Sequence, residues 1–184
     1  MAKSAKIQKK GFFDVSSSLT ASKISLYAAS IQELNGKIIK LDLTRSLRGK
    51  SLELDLKTKV EGEKLIAEPV SLELAGSYIR RAIRKGSDYV EDSFHAKCKD
   101  ANVVIKPFML TRNKVSRAIR RAIRNSSRDY LLSHLKTRTT KEVFNEIMTN
   151  KIQKELSLKL KKIYPLALCE IRFFEVVEEK KQAS

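Results

Sequence analysis

The chain has 184 residues, 42% of them hydrophobic, and its 38 Lys and Arg against 21 Asp and Glu leave a net charge of +17. That apolar fraction excludes global disorder, and the length suits one domain or two small interleaved halves. So large a basic excess is foreign to a typical cytosolic enzyme and points to a nucleic acid or another anionic surface.

Residues 1–22 read as a basic, flexible arm: Lys3, Lys6, Lys9 and Lys10 precede a Ser/Thr-rich stretch from Ser16 to Ser22. Such an arm is either solvated or orders on RNA. The segment after the basic start, GFFDVSSSLT, is not apolar, so no secretory signal is expected. No apolar run approaches the roughly 18 residues that span a bilayer. Lys23–Ser30 is expected to be a strand. Asn35-Gly36 has the composition of a type I′ turn and predicts a hairpin into Lys37–Leu43. Ser51–Val60 is the clearest strand, with Leu52, Leu54, Leu56 and Val60 alternating with charged residues. Glu61-Gly62-Glu63 turns the chain into a further strand, Leu65–Leu74.

Gly76–Lys85 is predicted to be a short helix closed by Gly86. Asp88–Lys99 and Val103–Leu110 read as a strand pair, in which Pro107 marks an edge or a bulge. The rest is mainly helical: about 113–136 by apolar spacing, then 140–149 behind a Thr139–Glu142 capping box, then 151–162, ended by Pro165. A strand at Cys169–Val177 and a charged tail, 178–184, complete the chain. The expected fold is α+β: a single domain over residues 23–177, with an antiparallel or mixed, barrel-like β core and about four helices around it.

The charge is uneven, with 13 basic and 9 acidic residues in 1–75 but 25 and 12 in 76–184. The second part also holds both copies of the hexapeptide IRRAIR, at Ile79–Arg84 and Ile119–Arg124. At about 100° per residue, Ile79, Ala82 and Ile83 fall in one wedge and Arg80, Arg81 and Arg84 lie opposite. Ile119, Ala122 and Ile123 divide from Arg120, Arg121 and Arg124 in the same way. Along the second helix Arg117, Arg121, Arg124 and Arg128 stack on one face without an acid between them. A solvated face usually mixes signs, because like charges one turn apart repel. Planar guanidinium forks suit phosphate oxygens. The candidate RNA-binding set is therefore Arg80, Arg81, Arg84, Lys85, Arg112, Lys114, Arg117, Arg120, Arg121, Arg124 and Arg128, with backbone contact favoured over base readout.

Enzyme chemistry finds no foothold. There is no P-loop, GxGxxG, HExxH or GxSxG, and no small-molecule substrate or cofactor is expected. Asp88, Glu91 and Asp92 lie among arginines, where structural ion pairing is the better reading. His95 and Cys98 have an HxxC spacing, but Cys169 and His134 lie elsewhere and no second ligand pair completes a metal site. Reduced, metal-free thiols are expected. The aromatic residues lack the interleaved pattern of an RNA-stacking sheet and read mostly as core.

Three stretches in order resemble a known family: LELAGSYIRRAIRKGSDYVEDSF at Leu72–Phe94, KPFMLTRNKVSRAIRRAIRN at Lys106–Asn125, and KKIYPLALCEIRFFEV at Lys161–Val176. They are similar to the archaeal and eukaryotic small-subunit ribosomal protein family S-one-e, also called S-three-a-e, most closely its archaeal members. The third stretch is the most specific, since Ile163–Leu166 and Glu170–Arg172 keep identity and spacing. The resemblance covers roughly residues 35–177. The chain departs from the family in having Gly11-Phe12-Phe13-Asp14 and no Trp near its start, and Ala167 and Leu168 where basic residues are usual.

The resemblance implies a cytoplasmic, non-catalytic constituent of the small ribosomal subunit. It implies a place on the platform, near the mRNA exit and the rRNA 3′ end. The partners so implied are small-subunit rRNA and neighbouring ribosomal proteins, with mRNA near the exit as a further candidate and no membrane. The competing reading is a free-standing nucleic-acid-binding regulatory or RNA-processing factor.

Overall fold

Period-two burial is the physical basis of the first half of the computed structural model, which describes residues 10–17, 19, 24–47, 49–62 and 64–177. The strands are β1 (Gly11–Ser17), β2 (Ile24–Ala28), β3 (Ile38–Asp42), β4 (Leu52–Glu61) and β5 (Lys64–Leu74). A short helix α1 (Gly76–Ala82) follows, then β6 (Tyr89–Glu91), β7 (Phe94–Lys97) and β8 (Asn102–Thr111). Three helices, α2 (Arg117–Leu135), α3 (Thr140–Met148) and α4 (Lys151–Leu160), lead to β9 (Leu166–Val177). The α+β expectation holds, with nine strands and four α-helices among the described residues. The ladder order is β2-β1-β5-β9-β8-β6, with β3 and β4 branching from β5 and β7 pairing with β8. The β1–β5 pair is parallel and the other registered pairs are antiparallel, so the β core is mixed. Among the described residues the ladder path does not close on itself.

The described residues fall into two compact units, interleaved in sequence. The first comprises residues up to Leu41 together with Asp55–Val70. Within it, Gly11–Ser17 is strand β1, not part of an arm: Val15 is buried, and the segment pairs with both β2 and β5. Of the rest of the arm only Lys10 and Leu19 are among the described residues, and the tail 178–184 lies outside them. Asn35-Gly36 does make a turn, but of type II. Asn35 has φ −66° and ψ 131°, and Gly36 has φ +76°, a value that glycine adopts without steric cost. The predicted hairpin does not form, because β2 pairs with β1 while β3 pairs with β4.

The second unit comprises Asp42–Leu54 and the chain from Ser71 onward. Its core joins strand residues such as Leu72, Phe108 and Phe174 to helix residues such as Ile123, Leu131 and Phe144, all fully buried. Phe144 meets Phe174 edge to face with centroids 4.9 Å apart. The predicted strand Asp88–Lys99 is broken into β6 and β7 at Asp92-Ser93, where the Ser93 N–H bonds to the Asp92 side chain. Pro107 marks a bulge, not an edge: the β8–β9 register shifts at Lys106/Pro107, and β8 is paired on both sides. The capping box at Thr139 and Glu142 is present. Helix α4 ends at Leu160, several residues before Pro165, which instead precedes β9.

A buried ion pair ties this unit together across a long sequence separation. Lys50 Nζ lies 2.5 Å from Glu170 Oε2 and 2.6 Å from Asn150 Oδ1. Asn150, at φ 59°, is the residue before α4. An ammonium can be buried here only because a carboxylate and an amide oxygen replace its water.

Candidate nucleic-acid interface

The two IRRAIR copies fold differently. The second lies inside α2, whose buried row recurs every fourth residue: Ile123, Ser127, Leu131 and Leu135. Ile119 continues that row half-buried, while Ala122, predicted to face inward, is exposed. Arg120, predicted to face outward, is half-buried, and its Nε is buried without a hydrogen-bond partner. The reason is geometric: a row with spacing of four drifts around the helix and sweeps past the side of Arg120. In the first copy the helix stops at Ala82. Ile83 is already extended, at ψ 121°, and is 38% exposed. Gly86, at φ +92°, serves the turn over 84–87, where the Ser87 N–H bonds to the Arg84 carbonyl, and does not close the helix. Ile79 alone anchors α1, so the first copy presents one turn of arginines and not a long face.

The approach to α2 is pinned by polar contacts. The Thr111 side chain is fully buried, and its hydroxyl lies 2.7 Å from the carbonyl oxygens of both Asp88 and Asn113. It accepts from the Asp88 N–H at 3.0 Å. The Asp88 carboxylate accepts from the Val115 N–H at 3.0 Å. Ser116 then caps α2, accepting from the Ile119 N–H. Asp88 is thus committed to backbone, Glu91 to Arg172 at 2.8 Å, and Asp92 to Arg128 with 3.6 Å between Nε and Oδ2. The Asp92–Arg128 contact is ionic without being a hydrogen bond at that length. Arg128 also lies over the Phe94 ring at 5.2 Å. It therefore differs from the other arginines of its row in already having a carboxylate and a ring.

These contacts bring Tyr89 and Val90 of β6 opposite the first two turns of α2. Together with Arg117, Arg120, Arg121, Arg124 and Asn125 they line a cavity of about 420 Å³. Among the described residues none of those four arginines has a carboxylate partner. Nor does the first turn of α2 contain an acid, although a helix start carries partial positive charge that an acid would offset. The orphaned Arg120 Nε costs on the order of 1–3 kcal/mol. The basic side chains are therefore held in an arrangement that an anion would relieve.

A second cavity, of about 400 Å³, gathers Arg84 and Arg112 beside Ala82, Ser87 and Leu168. Arg80, Arg81, Lys85 and Lys114 are exposed and line neither cavity. Tyr89, read from sequence as core, is 52% exposed, with its ring 6.0 Å from the buried Phe108 ring at 26°. The signal was available: in a period-two strand with Val90 inward, Tyr89 must face outward. Asn125 carries no distinguishing sequence signal, because amides are common on any helix surface.

The thiols take no part. Burial pushes Cys98 up to about 11, with Asp100 adding to it, and Cys169 up to about 12, with Glu170 adding to it. His95 is exposed and Cys98 buried, on opposite sides of the strand, so the HxxC spacing brings no ligand pair together. His134 Nε2 sits 2.7 Å from Glu146. Among the described residues no group of three or more His, Cys, Asp and Glu side chains is arranged to hold a metal ion. Among the described residues no helix is long and apolar enough to cross a membrane.

Comparison with known proteins bears on which anion is relevant. A family model described as the Ribosomal S3Ae family matches residues 2–180. The small ribosomal subunit protein eS1 of Nanoarchaeum equitans is 32% identical over 111 residues, 60% of this chain and 56% of that protein. The protein of the same name from Desulfurococcus amylolyticus is 30% identical over 111 residues, 60% of this chain and 52% of that one. That from Saccharolobus islandicus is 31% identical over 118 residues, 64% and 57%. The matches thus span little more than half the length of these relatives.

Proposed function

The chain belongs to the Ribosomal S3Ae family, and from that membership we propose that it is a non-enzymatic structural constituent of the small ribosomal subunit. It binds small-subunit rRNA and neighbouring ribosomal proteins in the cytoplasm. The contact is made mainly through the sugar-phosphate backbone, by the arginines at the start of α2, with Arg84 and Arg112 forming a secondary patch. The observation that carries this reading is the set Arg117, Arg120, Arg121 and Arg124, which shares one cavity and lacks any carboxylate partner among the described residues. An ordinary solvated face mixes signs; this one does not. Release of counterions from RNA supplies the affinity, and bidentate guanidinium–phosphate pairs supply the geometry. The position follows the family resemblance: the platform, close to the rRNA 3′ end, with mRNA at the exit within reach.

Sedimentation of the tagged chain in cell extract tests this. The chain should travel with small subunits in moderate salt and leave them in high salt. A chain that stays at the top of the gradient in moderate salt would instead identify a free-standing nucleic-acid-binding factor.

A further inference from the structure

We propose that the cavity between Tyr89 and the first two turns of α2 holds one unpaired RNA nucleotide, its base stacked on the Tyr89 ring and its flanking phosphates held by Arg117, Arg121 and Arg124. This rests on the RNA-binding reading above and adds to it the class of RNA feature recognised.

Phosphate binding alone does not explain the composition of the cavity. Duplex backbone needs cations, and a row of arginines suffices for it. Here a half-exposed aromatic ring stands within the basic wall. An exposed ring among charges is an unfavourable use of apolar surface unless a second flat, apolar face covers it. RNA offers such a face wherever a base leaves the helix, in a loop or a bulge, and aromatic side chains are the usual platform for it. An acidic peptide could satisfy the arginines but would leave the ring uncovered.

The ring is also held ready. Phe108 backs it at 6.0 Å in near-parallel orientation, and Phe108 is itself fully buried. The residue before Tyr89, Asp88, is fixed by the buried Thr111 and in turn fixes the loop into α2. The distance between platform and arginines is thus set by the fold, so little ordering entropy is lost when a nucleotide enters. A cavity of about 420 Å³ matches a single small ligand and not a length of duplex. Asn125, on the wall, offers both a donor and an acceptor to a base edge. The buried Arg120 Nε is a donor still lacking an acceptor.

The test uses the full chain and two hairpin RNAs of equal charge. One carries a single bulged 2-aminopurine, the other an abasic bulge at the same place. The base-bearing RNA should bind tighter by roughly five- to a hundred-fold, the range of one stacked base, and its fluorescence should be quenched on binding. Tyr89→Ala should remove that preference and the quenching. Tyr89→Phe, which keeps the ring against Phe108, should retain both. Equal binding of the two RNAs by the parent chain overturns the proposal, as does a folded Tyr89→Ala chain that still discriminates. Failure of the broader RNA reading looks different: neither RNA would bind with a steep salt dependence.

Discussion

Replacing Arg117, Arg121 and Arg124 together by Gln separates a binding face from a solvated one. All three are exposed and without a carboxylate partner among the described residues, so no internal ion pair is lost. Gln has nearly the helix propensity of Arg, so α2 should persist. The chosen set omits Arg120, because its half-buried side chain would confound folding with binding. Each phosphate neutralised adds about 0.9 to the log–log salt slope on duplex RNA-like backbone and about 0.7 on single strands. Three lost contacts flatten the slope by about 2–2.7 units. Over a fourfold rise in salt, from about 50 to 200 mM, the parent should lose roughly 20- to 40-fold more affinity than the variant. The free protein should move the other way. Arg117 and Arg121 are one turn apart, as are Arg121 and Arg124, and relief of such like-charge pairs is worth about 0.2–0.5 kcal/mol each. Binding of transcribed small-subunit rRNA, followed by anisotropy across a salt series, gives the slope; circular dichroism melting gives the stability. A folded variant with the parental slope would place the RNA on another face and sink the argument.

Lys50→Met should destabilise the protein by about 3–5 kcal/mol in urea unfolding, because it strands Glu170 in a buried site, while adding Glu170→Leu should restore most of the loss. A single-variant loss under about 1 kcal/mol would mean that the pair is effectively solvated. Cys98, buried and raised to about 11, should resist alkylation at pH 8 in the native chain and react promptly once unfolded; rapid native labelling would contradict the burial assigned to it. Asp100 accepts from the Thr140 N–H and hydroxyl at the start of α3. Partial burial tends to raise its pKa, but the Thr140 hydrogen bonds outweigh that and hold it below the ordinary carboxylate value. A lowered folded-state pKa means that the stabilisation is present above the unfolded value and lost as pH falls through the folded one. Asp100→Asn should therefore lower stability at neutral pH and shallow its acid-side decline, and an unaltered acid limb would show the contact to be idle.

Much of the fold could be read locally. The Leu52–Leu56 alternation, the paired turns of Thr139 and Glu142, and the apolar spacing of α2 are each decided within a few residues, where backbone periodicity and capping chemistry operate. The bulge at Pro107 is of the same kind, since a missing N–H is a property of one residue. The failures were non-local. The Asn35-Gly36 composition is compatible with two turn types, and only the choice of partner strand, β4 for β3 and β1 for β2, decided between them. Residues 11–17 carry a weak pattern and became a strand because two other strands offered hydrogen bonds.

The arginine excess at the start of α2, and with it the demand for an anion, was determined by sequence, because charge is additive and independent of packing. Which of those arginines face the anion was decided by tertiary structure. The buried row of α2 follows the strands and helices it packs against, and that packing drew Arg120 inward, left Ala122 outside and paired Arg128 with Asp92. Tyr89 joined the group because its neighbour Asp88 donates its N–H to the Thr111 hydroxyl and accepts the Val115 N–H on its carboxylate, both more than twenty positions away. Side-chain direction at such a site is set by long-range contacts, and a linear pattern does not contain them.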